Sequence, residues 1–343
     1  MRSPLNKRLF RELRGEFGKY LVIFILMTLT IGMVSGFLVA DGSMIQAYEE
    51  SFEKYNIENG HFRTEKKMNN AQIQDIEDLG IKLYENYYVE EALTNGSTMR
   101  IFKNRDEVNK VCLMKGKMPE KPGEIGIDRM YADNNDLSVG DEIESGGHTW
   151  KITGLVALSD YSALFSDNND SMFDSVKFGV SLVCPEEFDS YKADQLNYSY
   201  AWKYNTEPKN EKAEKDISED LMEDVAKEVT LEEFVPRYTN QAIIFTGDDM
   251  GGDRSMMIVL LYIIIVIMAF VFAITTNNTI RKEANVIGTL RASGYTRGEL
   301  IRHYMAAPVF VTFIGAIIGN IIGYTVGKDY CAGLYYGSYS LPT

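Results

Sequence analysis

Three stretches of the chain contain no charged residue: 20–40, 255–279 and 304–327. They read YLVIFILMTLTIGMVSGFLVA, SMMIVLLYIIIVIMAFVFAITTNNT and YMAAPVFVTFIGAIIGNIIGYTVG. An apolar run of about 20 residues crosses a hydrocarbon core of roughly 30 Å as a helix. A helix satisfies its own backbone polar groups, which nothing in lipid would do. Three membrane-spanning helices are therefore predicted. The first is read as an uncleaved anchor, because it is longer than a signal-peptide core and no clear small-x-small cleavage site precedes an obvious mature start.

Between the first two spans the pattern changes to short alternating and helical periods. Residues 41–54 extend the first span as a stalk. Residues 69–79 place Ile73, Ile76 and Leu79 at helical spacing, and 208–229 place Ile217, Leu221 and Val225 on one helical face. Residues 81–89 and 97–103 read as strands. In 122–156, Gly140 and Asp141 lead into a strand, Gly146 and Gly147 turn it, and the run from His148 returns, which is a tight hairpin. The reading is α+β: three transmembrane helices with a large mixed α/β domain at 41–254.

Charge orients these pieces. Residues 1–19 hold six basic residues against two acidic ones, and the connector 280–303 holds five against two. Residues 41–254 hold 23 against 44, a net of −21 in a chain of −14. Basic flanks stay in the cytoplasm. The expected order is a cytoplasmic amphipathic basic helix (1–19), span, extracytoplasmic domain (41–254), span, cytoplasmic connector (280–303), span and extracytoplasmic tail (328–343). In the first piece Leu5, Leu9, Leu13 and Phe17 recur every four residues among basic side chains, a pattern that suits the inner membrane interface.

Two features of the spans need a reason. Gly315, Gly319, Gly323 and Gly327 form one stripe of glycines spaced by four, and Gly32 and Gly36 repeat the motif in the first span. Glycine weakens a helix, whereas a glycine face lets another helix approach to backbone contact. The partner face lies within this chain or across a dimer. Asn320, mid-span, is expected to hydrogen-bond to a neighbouring helix. The connector carries punctuation of its own. Ile280, Ile287 and Leu290 give a short helix an apolar side. Gly294 suits a left-handed stop, and Thr296 with Glu299 fits a capping box that opens the third span. A structured hairpin tip is predicted.

Other chemistry is missing from the pattern. There is no GxxxxGK[ST] loop, no HExxH, no CxxC and no GxSxG. His61, His148 and His303 are scattered, so no metal site, cofactor or catalytic residue is expected. Asp167–Asp170 lacks the glycine and closing glutamate of a calcium loop. Cys112, Cys184 and Cys331 are an odd set and are read as thiols.

The connector RKEANVIGTLRASGYTRGEL resembles that of FtsX-like permeases, the membrane subunits of one class of ABC transporter, at Glu283, Gly288, Leu290, Arg291, Ala292 and Gly294. The family pattern is R-x-E-x-G-x-L-R-A-x-G just after the second span. This chain places three extra residues between Glu283 and Gly288. Residues 123–156 are similar to the MacB-type extracytoplasmic core, with its P-G-E strand and V-G-D hairpin. The resemblance implies a cell-membrane transport subunit that converts the strokes of a separate cytoplasmic ABC ATPase into movement outside, on peptide or lipoprotein substrates. It implies as partners that ATPase and a second permease half or an identical copy, with lipid around the spans and no nucleic acid. Arg281, Glu283, Gly288, Arg291, Gly294, Thr296 and Glu299 would form the coupling connector. Gly32, Gly36, Gly315, Gly319, Gly323 and Gly327 would pack the helices. Family members return to the cytoplasm through a fourth span, so the chain is expected to be the first portion of a longer permease. Two other functions fit the order of segments: an FtsX-like regulator of a wall hydrolase, and a membrane-anchored extracytoplasmic receptor.

Overall fold

A computed structural model of the chain describes residues 14–342. The expected basic helix of 1–19 lies largely outside them. The described residues form two compact units, one of 14–44 with 250–334 and one of 45–249 with 335–342.

The first unit is helical. Helix α1 (Phe17–Lys54), helix α6 (Gln241–Lys282) and the run from Arg297 to Ser338 are each long and apolar enough to cross a membrane, by length and composition. That last run comprises helix α8 (Arg297–Ile322), a π-helical segment (Gly323–Gly327) and helix α9 (Lys328–Ser338). The first residues of the expected tail, from Lys328 to Ser338, thus continue the helix. Between α6 and α8 stands the short helix α7 (Ala284–Ala292).

The second unit is built on two sheets. Strands β1 (Gly60–Thr64), β2 (Ile81–Glu85), β10 (Tyr198–Tyr204) and β11 (Leu231–Pro236) form an antiparallel sheet in the order β11-β1-β10-β2. The larger mixed sheet has the order β3-β4-β9-β6-β8-β5, with β7 paired to β8. Its strands are β3 (Tyr88–Ala92), β4 (Thr98–Lys103), β5 (Val111–Gly116), β6 (Glu124–Asp128), β7 (Glu142–Ser145), β8 (His148–Leu158) and β9 (Phe178–Val183). The stretch read as one strand at 81–89 is two, because the chain leaves the small sheet after Glu85 and enters the large one at Tyr88. The hairpin turns at Gly146 and Gly147, both with positive φ (54° and 84°), which glycine adopts without steric cost.

Helix α2 (Asn70–Glu77) starts with a complete Asn69–Gln72 capping box, and helix α5 (Glu211–Glu228) buries Leu221 and Val225 against the small sheet's side of the core. Two short helices, α3 (Arg129–Asn134) and α4 (Pro185–Phe188), follow β6 and β9. Trp150, Trp202, Tyr131, Tyr200, Phe62 and Phe102 are the largest fully buried side chains, and Trp202 stacks on Phe234 at 4.8 Å between centroids. Cys112 and Cys184 are free thiols.

The end of the described chain is part of this second unit. Ser340 donates its N–H to the Ser162 carbonyl (2.8 Å) and its hydroxyl to Asp128. Arg129 donates to the carbonyls of Tyr336 (2.8 Å) and Tyr339 (2.7 Å). Ser340 and Leu341 are buried, and Tyr339 lies beside Phe173 and Phe245. Burial pushes the Asp128 carboxyl up to about 6, against the Ser340 hydroxyl and the N–H groups of Tyr131 and Met130 that favour its ionised form.

Candidate functional site

The helical unit offers two arrangements with functional content: a close helix pair and an exposed tip. The pair is α1 with α8. Its lower half is apolar, with Tyr20 and Ile23 buried against Ala307 and Val311. Its upper half is glycine on glycine. A Cβ on Gly319 would stand 2.8 Å from the Thr28 carbonyl oxygen, and one on Gly323 would stand 2.6 Å from the Gly32 carbonyl oxygen. A Cβ on Gly36 would stand 2.8 Å from the carbonyl carbon of Gly327, and one on Gly32 would stand 3.3 Å from the Gly319 oxygen. These neighbours are backbone atoms with nowhere to move. Gly315 is different: its nearest neighbour would be the Met27 side chain at 3.3 Å. The stripe thus packs within the chain.

Where the two backbones come closest, the third span widens into its π segment. The Lys328 N–H reaches back five residues to the Gly323 carbonyl. Asn320 departs from the sequence reading. It is exposed, and its amide donates to the Ala316 carbonyl of its own helix (3.0 Å). The reason is angular. Gly319 faces α1, so the next residue is turned about 100° away, and the turn below satisfies its amide.

The tip follows α6. Glu283 breaks the helix after Lys282, and α7 then runs to Ala292. A Schellman motif ends α7: Tyr295 N–H bonds the Leu290 carbonyl (3.2 Å) and Gly294 N–H bonds the Arg291 carbonyl (3.1 Å). Gly294 takes φ +97°, the left-handed conformation that this motif requires. The next helix opens with both halves of the Thr296–Glu299 box: Glu299 N–H to Thr296 Oγ1 (3.3 Å), and Thr296 N–H to Glu299 Oε2 (2.9 Å).

Arg281, Gly288, Arg291, Gly294, Thr296 and Glu299 are all exposed on this tip, and Glu283 is half-buried. The Tyr304 hydroxyl donates to Glu283 Oε2 (3.0 Å), tying the start of the tip to the third span. Beside that bond, Lys19 donates to Glu16 (2.8 Å) and to Thr279 Oγ1 (2.7 Å), linking α1 to α6. His303 is buried at the same level. Sequence reasoning missed this polar cluster, because nothing in local spacing joins residues 19, 279, 283 and 304. Gly288, like Gly298 at the start of α8, has the opposite character. It lies within an exposed helix, and a Cβ placed there would meet nothing within 4 Å. No group of His, Cys, Asp and Glu able to hold a metal occurs among the described residues.

Comparison with known proteins adds a family to this geometry. Residues 258–343 match the model of the FtsX-like permease C-terminal domain. No curated protein matches the chain. Two solved structures are similar to its sheet-rich part. The periplasmic region of MacB from Actinobacillus actinomycetemcomitans is 11% identical, with a TM-score of 0.28, over 53% of this chain and 91% of that one. The extracellular domain of the noncanonic ABC-type transporter YknZ from Gram-positive bacteria is also 11% identical, with a TM-score of 0.28, over 51% and 98%. From residue 258 onward, taking in most of the second span, the capped tip and the third span, this chain is similar to the FtsX-like permease C-terminal domain.

Proposed function

We propose that this chain is the membrane subunit of an ABC transporter of the mechanotransmitting kind, with the 280–303 tip as the docking point for a separate cytoplasmic ATPase. The observation that carries the reading is Gly288. Glycine costs an exposed helix about 1 kcal/mol relative to alanine, and no neighbour in this chain asks for it. A flat spot on an exposed basic helix, held rigid by a Schellman stop and a capping box, is what a second protein packing on α7 would require. The family match over 258–343 supports the same reading.

The charge pattern supports the orientation, with the tip in the cytoplasm and the sheet unit outside. ATP-driven closure of the partner would then tilt α6 and α8 and move the outer unit against peptide or lipoprotein substrates. A second permease half or copy fits the exposed spans. Only 11% of the most apolar window of α6 is buried, and Val259, Tyr262, Ile263 and Phe270 are each more than half exposed.

The test is affinity purification of the tagged full-length gene product beside its Arg291→Glu variant. An ATPase recovered with the first and lost from the second is expected. Recovery of no ATPase with either protein would turn the assignment toward an anchored receptor.

A further inference from the structure

The pairing of α1 with α8 is not equally close along its length. From Thr28 onward the two backbones meet at glycine. Before Thr28, larger side chains hold the helices apart and leave an open groove of about 490 Å³. Phe17, Leu21 and Phe24 line it from α1, and Phe310, Val311 and Ile314 line it from α8. Phe17 and Phe310 are each more than half exposed, so the groove faces outward, toward lipid in a membrane-spanning unit. From Phe17 to Phe24 the helix rises about 11 Å, and one leaflet of hydrocarbon is roughly 15 Å deep. The groove is thus confined to a single leaflet, the one beside the basic flank, and it ends where the glycine contact begins.

An empty groove forfeits dispersion contacts on one side, and in a bilayer the apolar group at hand to fill it is an acyl chain. The mouth of the groove sets it apart from the rest of the lipid-facing surface. Arg14 is the only charged side chain among the described residues lining it. It stands on the helical turn that leads into α1, about 9 Å of helix before Tyr20, the first residue of the uncharged run. The polar layer of a bilayer adds roughly 5–8 Å a side, so Arg14 lies at headgroup depth. It is exposed, and among the described residues no hydrogen bond or ion pair engages it. The neighbouring charges are used elsewhere: Lys19 donates to Glu16 (2.8 Å) and to Thr279 of α6 (2.7 Å), and neither Lys19 nor Glu16 lines the groove. A guanidinium meets a phosphate with paired N–H donors, and basic sites beside membrane helices take anionic headgroups. In a zwitterionic lipid the headgroup's own ammonium competes for that phosphate. An anionic lipid offers it undivided.

We propose that this groove binds one anionic phospholipid, with an acyl chain along Phe17, Leu21 and Phe24 and the phosphate on Arg14. The site is independent of the ATPase assignment. The test is native mass spectrometry of the full chain in detergent, titrated with dioleoyl phosphatidylglycerol or with dioleoyl phosphatidylcholine, reading the first lipid bound. Phosphatidylglycerol should bind about fivefold more tightly, the worth of one cation at an anionic headgroup. Arg14→Gln should erase that preference, and Arg14→Lys, which keeps the charge, should retain part of it. Leu21→Trp fills the groove and should weaken both lipids, whereas Val266→Trp on α6, outside the groove, should leave both unchanged. Equal binding of the two lipids by the native chain would overturn the proposal, and so would a preference that survives Arg14→Gln. A Leu21→Trp variant that binds both lipids as the native chain does, or no more weakly than Val266→Trp, would overturn it too: the lipid would then sit elsewhere, with the groove filled by another occupant such as the residues ahead of Arg14.

Discussion

The helical unit and the sheet unit are held together in opposite ways. The sheet unit buries large side chains: Trp150, Trp202, Tyr131 and Phe62 are fully enclosed, and the contact is side chain on side chain. The helical unit leaves most of its large apolar side chains exposed and makes its closest contact by having no side chain at all, at Gly36, Gly319 and Gly323. In water, burying apolar area drives folding. In a bilayer the surroundings are as apolar as leucine, so burial gains nothing and close backbone packing decides. One chain thus carries two rules for what a damaging substitution is: removal of bulk in one unit, addition of bulk in the other.

The largest effect should come from the first rule. Trp202→Ala opens a cavity among Phe62, Phe234 and Tyr200 and should cost about 3–5 kcal/mol. Thermal unfolding followed by tryptophan fluorescence should show the sheet unit melting far earlier while the helical signal in far-ultraviolet dichroism persists. Simultaneous loss of both signals would mean that the contrast is wrong.

Next is pH, at the docked chain end. Asp128 is raised from its ordinary 3.8 to about 6 by burial, so the fold prefers its neutral form. Its contribution is fully present below about pH 4 and is lost as pH rises through 6, a swing on the order of 3 kcal/mol. The stability of the native protein relative to Asp128→Asn should therefore improve as pH falls from 7 to 4, read from melting curves at each pH. A constant difference across that range would mean that Asp128 keeps an ordinary carboxyl.

The second rule is sharper at single positions. Gly319→Ala presses a methyl onto the Thr28 carbonyl and should cost about 1–3 kcal/mol, the usual range for overpacking. Gly315→Ala brings a methyl to 3.3 Å from Met27 Cβ and 3.4 Å from the Phe24 carbonyl oxygen and Thr28 Oγ1, a looser fit than at Gly319, so it should cost less than Gly319→Ala, with up to about 0.8 kcal/mol of helix propensity in its favour. Spin labels at the exposed positions Leu29 and Ile318 should report a longer, broader distance for the first variant than for the second. The smallest effect is Gly294→Ala, which strains the left-handed stop by about 1 kcal/mol. Amide exchange should speed up at 291–296 and nowhere else.

The two units also differ in how much of them can be read from sequence. The spans are legible because charge is absent over 20–40, 255–279 and 304–327, and the tip is legible because its devices are local: Thr296 and Glu299 lie three apart, and Gly294 comes two residues after the last helical one, Ala292. The Gly146–Gly147 hairpin is local too. The parallel pairing of β4 with β9 joins residues about 80 apart, and the docking of Ser340 on Asp128 spans 212. Neither leaves a periodic trace. The glycine stripe announced a close partner without naming it, since composition cannot say whether the facing helix is in the same chain. Asn320 was misread because polarity in a span was taken to demand a neighbour, whereas the carbonyl one turn back suffices.

The central claim is that the exposed tip is where another protein binds and drives the helices. Photo-crosslinking in cells tests it most directly, with a benzophenone amino acid at the exposed tip residue Asn285, one turn before Gly288 on α7, and, for comparison, at the exposed sheet-unit residue Met172. The account predicts a crosslink from position 285 to a cytoplasmic ABC ATPase and none to that protein from position 172. An uncrosslinked tip, or one joined only to lipid, would contradict it.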